Sequence, residues 1–194
     1  MMLTDNDPRL PQIAQLNDAD IYRGKPSGIV NVPSTDYNYT NVSAIGEFYL
    51  RAEAPGYFVS NAQIQFLMAE AAQRGFISGS ASMYYEAGIM ASFEANEVSD
   101  NGYIAANSLQ VSQAYDQIGT EMWKALFAQG VESWTEQRRT GYPVLAPALE
   151  ADQNSIPTRY NYPTIEASIN ADNYNAAVSA QGTDNLSTPL WWMN

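Results

Sequence analysis

Residues 114–143 read AYDQIGTEMWKALFAQGVESWTEQRRTGYP and form the longest uninterrupted helical pattern in the chain. Their apolar side chains fall in two adjacent rows, with Ile118, Met122 and Leu126 in one and Trp123, Phe127, Val131 and Trp134 in the other. A repeat of three to four residues is typical of a helix with one buried face. The pattern ends at Gly141 and Pro143, because glycine readily takes a left-handed cap conformation and proline cannot continue a helix.

We therefore expect one central helix over residues 114–140, packed at the core of a mainly α-helical fold. Its large aromatic residues make up the predicted structural core: Trp123, Phe127 and Trp134. Because aromatic side chains at helical spacing usually fill a core, we expect these three to be largely buried and not to contact a ligand.

Two further helices are predicted before the central one. Ser60 and Gln63 have the spacing of a capping box, which indicates a helix over residues 60–74. A second helix over residues 80–98 follows after a short turn, so the two should form an antiparallel pair of tetratricopeptide type. The predicted buried residues are Ile64, Leu67, Met68 and Ala71 in the first helix and Tyr85, Ile89 and Phe93 in the second, with Met83, Ala87 and Met90 in the row beside them.

Long irregular segments flank the helices, because Pro, Gly, Asn and Asp favour turns. We predict a single domain over residues 1–194, with a loop-rich start at 1–57, a helical core at 58–143 and a loop-rich tail at 144–194. A chain of 194 residues with 45% hydrophobic residues is long enough to bury a sizeable core. We expect the terminal pair Trp191 and Trp192 to anchor the tail.

The composition argues against several classes of function. The net charge of −12 disfavours nucleic acid as a partner, since binding needs a basic surface to neutralise phosphates. The sequence contains neither His nor Cys, so Ser-His-Asp and Cys-His catalysis and Cys-based metal sites are excluded within this chain. The sequence contains no run of about 18 apolar residues, so it predicts no transmembrane segment. We predict no catalytic residue, no metal site and no cofactor.

Several separated motifs occur along the chain. They are DPRLP at residues 7–11, RGKPSG at 23–28, MWKALFAQGVESWTEQRRTGYPVL at 122–145, and a C-terminal block that includes Ile156-Pro157, Arg159, Tyr162-Pro163, Asp184-Asn185-Leu186 and Trp191-Trp192. In type and order these motifs resemble the SusD/RagB-like family of outer-membrane nutrient-binding lipoproteins, which bind nutrients, usually glycans, in Bacteroidetes. The resemblance covers nearly the whole chain.

The resemblance implies a SusD-like fold and a non-catalytic function. It implies the binding of glycans or oligosaccharides for nutrient uptake, at the surface of the outer membrane, as partner of a SusC-like TonB-dependent transporter. Family members carry a lipoprotein signal and a long N-terminal portion, whereas residues 1–11, MMLTDNDPRLP, lack the pattern of a signal peptide. We therefore expect this chain to be the C-terminal part of a larger lipoprotein.

The segment at residues 36–41 is the stretch most suited to a sugar ligand. Sugar binding needs flat aromatic faces beside amide and carboxylate groups on a surface loop. The candidate glycan-binding residues are Asp36, Tyr37, Asn38, Tyr39 and Asn41. Two other interpretations remain open: an ordinary polar loop, or a loop whose tyrosines fold inward against the helices.

Three alternatives accompany these predictions. An enzyme of glycoside hydrolase type would use Asp and Glu, which the lack of His and Cys does not exclude. A helical-repeat module would bind only protein. Asp100-Asn101-Gly102 and Asp184-Asn185 carry oxygen ligands suited to calcium, but their spacing is not that of an EF-hand and favours turns.

Overall fold

The structure is a computed structural model that describes residues 1–29, 36–38, 40–150 and 154–193. Within these ranges the α-helices are α1 Leu10–Ile13, α2 Asn61–Gln73, α3 Ala81–Ala95, α4 Tyr103–Ala106, α5 Ala114–Ala125, α6 Gly130–Thr140, α7 Glu166–Ile169 and α8 Ala171–Gln181. Short 3₁₀ turns lie at Glu47–Tyr49, Val111–Gln113 and Trp191–Met193. In the same ranges the β-pairing consists of one bridge between Ala14 and Ile45. The predicted mainly α-helical fold with long irregular loops is confirmed.

The chain forms two compact units. The first comprises Met1–Pro26 and Val30–Pro143, and it contains α1 to α6. The second comprises Ser27–Ile29 and Val144–Asn194, and it contains α7 and α8. The boundary at Val144 coincides with the predicted start of the loop-rich tail, whereas the single domain over residues 1–194 stays a prediction.

Helices α2 and α3 pack against each other as the predicted pair. The Ser60 hydroxyl accepts a hydrogen bond from the Gln63 backbone N–H at 3.1 Å, and Ser80 caps α3 in the same way. The two helices approach closely at Gly88, where an added Cβ would lie 2.7 Å from the Phe66 ring. The N-terminal caps and a glycine at the contact therefore define where this pair begins and how closely it packs.

The buried face of α2 is not the predicted one. Ile64, which was predicted to be buried, is 43% exposed. The other three predicted residues are half-buried: Leu67, Met68 and Ala71. Phe66 and Ala69 are buried in their place, because the Phe66 ring packs edge-on against Tyr85 of α3 with ring centroids 6.1 Å apart. On α3, Tyr85, Ile89 and Phe93 are buried as predicted, whereas Met83 and Met90 are exposed.

The predicted single helix over residues 114–140 is wrong, because the chain forms two helices, α5 and α6. Ala128 between them has a φ of 65°, a left-handed conformation that an α-helix does not accommodate. The Gln129 N–H donates to the Leu126 carbonyl at 2.9 Å and closes the turn. Gly130, expected inside the helix, lies at the start of α6, where its low helix propensity favours the break.

The break also corrects the expected burial of the central stretch. The row of Ile118, Met122 and Leu126 is buried as predicted, but the predicted structural core of Trp123, Phe127 and Trp134 is only half-buried. Because the helix ends at Ala125, the second apolar row is not continuous. The Phe127 ring packs edge-on against Tyr49, and the Arg138 guanidinium lies 3.7 Å from the centre of the Trp134 ring.

A buried network of charges lies within the first unit. Arg9 of the DPRLP motif donates to Asp7 Oδ2 at 2.6 Å and to Glu121 Oε2 at 2.7 Å, and its side chain is fully buried. Lys124 Nζ donates to Glu121 Oε1 at 2.8 Å and to the Tyr103 hydroxyl at 2.7 Å. Burial opposes ionisation of Asp7, but the hydrogen bonds and charge of Arg9 outweigh it and lower the pKa of this carboxyl. The network thus joins the N-terminal segment to α5.

Asp184 is the centre of the hydrogen bonds in the second unit. Its Oδ1 atom accepts from Arg159 Nη2 at 3.0 Å and from the Tyr162 backbone N–H at 3.1 Å, and its Oδ2 atom accepts from the Tyr174 hydroxyl at 3.3 Å. These contacts identify Asp184 as part of a structural turn. Trp191 is 86% exposed, so the expected anchoring of the tail fails for this residue.

Candidate functional site

The described residues of the predicted loop at 36–41 form hydrogen bonds within the loop and with Asn17. Asn38 Oδ1 accepts from the backbone N–H groups of Thr40 at 3.2 Å and of Asn41 at 3.1 Å, which is the pattern of an Asx turn. The Asn41 carbonyl accepts from Asn17 Nδ2 at 3.0 Å. A polar turn of this kind presents side chains at the surface without a helix or strand to support them.

The candidate residues of this loop differ in exposure. Asp36 and Asn38 are exposed, Tyr37 and Asn41 are half-buried, and Tyr39 lies outside the described residues. The Arg23 guanidinium lies 5.1 Å from the centre of the Tyr37 ring and occupies one of its faces. Glycan binding by this loop stays a prediction.

A second candidate is a cavity of about 230 Å³ in the first unit. It lies between the segment after Ile45, the C-terminal half of α3 and the link between α5 and α6. Four aromatic residues and a few polar ones contribute to its lining: Phe48, Tyr49, Tyr57, Phe127, Ser60, Asn96 and Gln129. We call this space the aromatic cavity.

The rings of the aromatic cavity are fixed by contacts with one another. Tyr49 packs edge-on against Phe127 with centroids 4.8 Å apart, and against Phe48 at 5.2 Å. The Tyr49 hydroxyl donates to Asn96 Oδ1 at 2.6 Å, and Asn96 Nδ2 donates to the Ser92 carbonyl at 2.8 Å. Burial raises the pKa of the Tyr49 hydroxyl, which therefore stays protonated as a donor. These contacts hold the aromatic wall of the cavity in place without a ligand.

The rim of the aromatic cavity carries exposed apolar side chains. Tyr57, which lines the cavity, is 45% exposed, and the adjacent Phe58 is 100% exposed. The Arg51 guanidinium lies 4.0 Å from the centre of the Phe48 ring and pairs with Glu97 at 2.9 Å. An exposed apolar rim beside a concave aromatic wall is typical of a binding surface.

The lining determines which ligands the aromatic cavity suits. Its described lining residues carry no charged side chain, so a neutral ligand with flat apolar faces fits it better than an ion. A pyranose ring has such faces, and its hydroxyls would meet the polar groups of Ser60, Asn96 and Gln129. Over the described residues, no group of acidic, His or Cys side chains is placed to hold a metal ion. None of the described helices has the length and apolar character needed to cross a bilayer.

The structure brings only part of the sequence predictions to this cavity. Phe127, predicted as core, lies in its wall, whereas none of the described residues of the 36–41 loop lines it. Sequence reasoning missed Phe48, Tyr49 and Tyr57, because all three lie in the segment predicted only as a loop-rich start at residues 1–57. The closely spaced aromatic residues of a segment without helical periodicity were the signal available for finding them.

The sequence profile of SusD-like proteins, described as starch-binding and associating with the outer membrane, matches residues 1–163. A chitin-binding SusD homolog from Flavobacterium johnsoniae is 29% identical to this chain, with a TM-score of 0.85 over 100% of this chain and 48% of that one. A SusD homolog from Bacteroides thetaiotaomicron is 26% identical, with a TM-score of 0.85 over 98% of this chain and 49% of that one. A SusD-like protein of Bacteroidetes AC2a is 30% identical over 82% of this chain and 36% of its own, with a TM-score of 0.73.

The chain spans about half the length of the first two of these solved structures. No curated protein matches its sequence. The helical architecture described above is shared with the first two structures over 98–100% of this chain and with the third over 82%.

Proposed function

This chain belongs to the SusD-like family, and from that premise we propose that its protein binds glycans at the cell surface for nutrient uptake. It binds without cleaving bonds, at the outer membrane, and passes oligosaccharides to a SusC-like TonB-dependent transporter. The family description names starch binding and association with the outer membrane, and one relative is named as chitin-binding. These names support a neutral polysaccharide as the ligand.

The observation that carries the proposal is the aromatic cavity. Its preformed wall of Tyr49 and Phe127, its exposed Tyr57 and its uncharged lining match the chemistry of a sugar ring. Stacking of a sugar on an aromatic face removes apolar surface from water, while amide and hydroxyl groups replace the hydrogen bonds that the sugar loses. We place one sugar subsite there.

The loop at residues 36–41 is the second part of the proposed site. Asp36, Tyr37, Asn38, Tyr39 and Asn41 combine tyrosine rings with amide and carboxylate groups. The exposure of Asp36 and Asn38 supports contact with a ligand at the surface. In this proposal the loop contributes the ring of Tyr37 or Tyr39, and the aromatic cavity contributes an independent contact.

The test is calorimetry on the whole protein with chitin and starch oligosaccharides. Tyr57→Ala should weaken binding by about two- to twelvefold, since one aromatic contact contributes about 0.5–1.5 kcal/mol beyond the buried area. The matched control is Tyr160→Ala, which removes a 77% exposed tyrosine of the second unit and should leave affinity unchanged. If a folded Tyr57→Ala variant keeps the parental affinity, the proposed subsite in the aromatic cavity is wrong. If folded Tyr37→Ala and Tyr39→Ala variants both keep it, the proposed contact of the loop with the glycan is wrong.

The same samples separate binding from hydrolysis. A binding protein releases no reducing ends from its glycan over many hours. Saturable release that one Asp or Glu substitution abolishes would replace the proposal by a glycoside hydrolase. Absence of binding to every glycan, together with capture of a protein partner, would instead favour a helical-repeat interaction module.

A further inference from the structure

A second cavity, of about 170 Å³, lies in the first unit between α2, α5 and the end of α6. Its lining differs from that of the aromatic cavity, because it contains charged side chains: Glu70, Arg74 and Arg139. Tyr115 and Tyr142 complete its sides. We call it the arginine cavity.

The back wall of the arginine cavity is a set of fixed ion pairs. Arg139 donates from Nη1 to Glu70 Oε1 at 3.0 Å and from Nη2 to Glu70 Oε2, and it also pairs with Glu136 at 2.8 Å. The hydrogen bond from Arg139 lowers the pKa of the Glu70 carboxyl. Because Arg139 has carboxylate partners for all of its nitrogens, this residue is structural, and it is not the group that would hold a ligand.

Arg74 is different, since only part of its guanidinium is used. Its Nε atom donates to Glu70 Oε1 at 2.9 Å, and its Cζ atom lies 5.0 Å from the centre of the Tyr115 ring. Its two terminal amino groups make no hydrogen bond with any described residue, and its side chain is 45% exposed. The Glu70 contact and the Tyr115 ring hold the guanidinium in place, and its two terminal amino groups remain able to donate hydrogen bonds to a ligand.

Two tyrosine hydroxyl groups in the lining of this cavity are further potential hydrogen-bond donors. The hydroxyl groups of Tyr115 and Tyr142 make no hydrogen bond within the described residues, although both side chains line the space. The floor between them is apolar, formed by Ile118, Gly119 and Met122. At Gly119 an added Cβ would lie 2.7 Å from the Tyr142 Cβ, so the glycine lets Tyr142 close one side. An apolar floor with a few convergent polar groups is the composition of a ligand site.

We infer that the arginine cavity binds a carboxylate-bearing sugar residue, of the uronic acid type. The terminal amino groups of Arg74 provide the planar fork that matches a carboxylate, and the two tyrosine hydroxyls reach sugar hydroxyls beside it. Among the charged residues of its lining, two arginines outnumber one glutamate, in a chain whose net charge is −12. Glu70 and Glu136 together balance the charges of Arg74 and Arg139, so what the cavity offers a carboxylate is the pair of terminal amino groups of Arg74 that make no hydrogen bond with a described residue. This inference rests on the proposed glycan-binding function and adds an acidic residue to the sugars that the protein binds.

The experiment compares neutral and acidic ligands on the whole protein by calorimetry. The probes are a neutral chitin oligosaccharide, a galacturonate oligosaccharide, free glucuronate and inorganic phosphate. Arg74→Gln should weaken galacturonate binding about tenfold, since charge-assisted hydrogen bonds to a carboxylate are lost, and leave chitin binding unchanged. Arg74→Lys should keep only part of the affinity, because lysine retains the charge without the fork.

Arg138→Gln is the matched control. Arg138 also stacks on an aromatic ring, that of Trp134 at 3.7 Å, but it lines neither the arginine cavity nor the aromatic cavity. It should leave galacturonate binding at the parental level. Equal loss in Arg138→Gln and Arg74→Gln would show a general effect of charge and would overturn the inference.

The remaining outcomes separate this inference from the proposed function. Chitin binding without any preference for galacturonate overturns the acidic subsite and leaves the proposed function intact, whereas binding of neither overturns both. Free glucuronate that binds as tightly as the oligosaccharide supports the subsite and assigns it to a free sugar acid. Phosphate that competes as strongly as galacturonate overturns the assignment to a carboxylate.

Discussion

The two compact units of this chain are held together by different forces. In the first unit, a continuous set of buried apolar side chains connects α2, α3 and α5, and the charges among them are paired. In the described part of the second unit, Arg159 is the one buried residue, and its partner is Asp184. The first unit is thus stabilised mainly by apolar burial, and the second mainly by polar contacts, among which those of Asp184 are joined by hydrogen bonds from Thr158 to the carbonyls of Leu186 and Thr188.

This difference indicates where each unit is sensitive to substitution. A large apolar core spreads its free energy over many contacts, and each buried ring contributes by its removal from water. A network around Asp184 depends on three donors to one side chain. Removal of one core ring should therefore affect the first unit as a whole, whereas a change at Asp184 should act locally.

The largest expected effect comes from Phe66→Ala in the core of the first unit. Phe66 is 0% exposed and touches Gly88 and Tyr85, so its truncation should reduce the free energy of unfolding by about 3–5 kcal/mol. Denaturant unfolding of the whole protein, followed by circular dichroism, measures the change. The matched control is Phe58→Ala, at 100% exposure, which should shift stability by no more than about 0.5 kcal/mol. Equal shifts in the two variants would contradict the assignment of the core.

A smaller and local effect is expected for Asp184→Asn in the second unit. The loss of the charged hydrogen bond to Arg159, with both side chains largely buried, should cost about 1.5–3 kcal/mol. Hydrogen exchange should show faster opening at the Tyr162 amide and unchanged protection in α3. Asp172→Asn alters an exposed aspartate in α8 and serves as control. Faster exchange throughout α3 in Asp184→Asn would contradict the separate sources of cohesion.

The smallest expected effect concerns acid stability of the first unit. Arg139 lowers the pKa of Glu70 by hydrogen bonding, and a carboxyl whose pKa is lower in the folded than in the unfolded protein stabilises the fold above its unfolded pKa. That stabilisation is lost as the pH falls through the lower, folded pKa. The wild type should therefore lose more stability than Glu70→Gln when the pH falls from about 5 to about 2.5. Thermal melts over that range test this, and parallel curves for the two proteins would show that Glu70 carries no such linkage.

Much of the fold could be predicted from local sequence signals. Ser60 with Gln63 marked the start of α2, and Gly141 marked the end of α6, because caps act over one turn and are visible in the sequence. The row of Tyr85, Ile89 and Phe93 was predicted correctly, since no competing apolar row on α3 is as bulky. These elements depend on neighbours within a few residues.

The errors arose where tertiary contacts decided between local alternatives. On α2, the rows of Ile64 and Phe66 are both apolar, and only packing on Tyr85 selects Phe66. At Ala128, the left-handed conformation has no sequence signal apart from the following Gly130. The 36–41 loop could be proposed from composition, but the aromatic cavity joins segments distant in sequence, from Phe48 to Gln129, and periodicity does not show such a site.

The link between α5 and α6 has a consequence for how such a protein diversifies. Phe127, Ala128 and Gln129 line the aromatic cavity, yet they belong to neither helix. Substitutions there can reshape the cavity while the hydrogen-bonded turns of α5 and α6 and the buried row of Ile118, Met122 and Leu126 stay in place. Under the proposed function, changes at three neighbouring codons would alter the glycan contact without rebuilding the scaffold, and a library randomised at these positions would test whether the cavity sets what the protein binds.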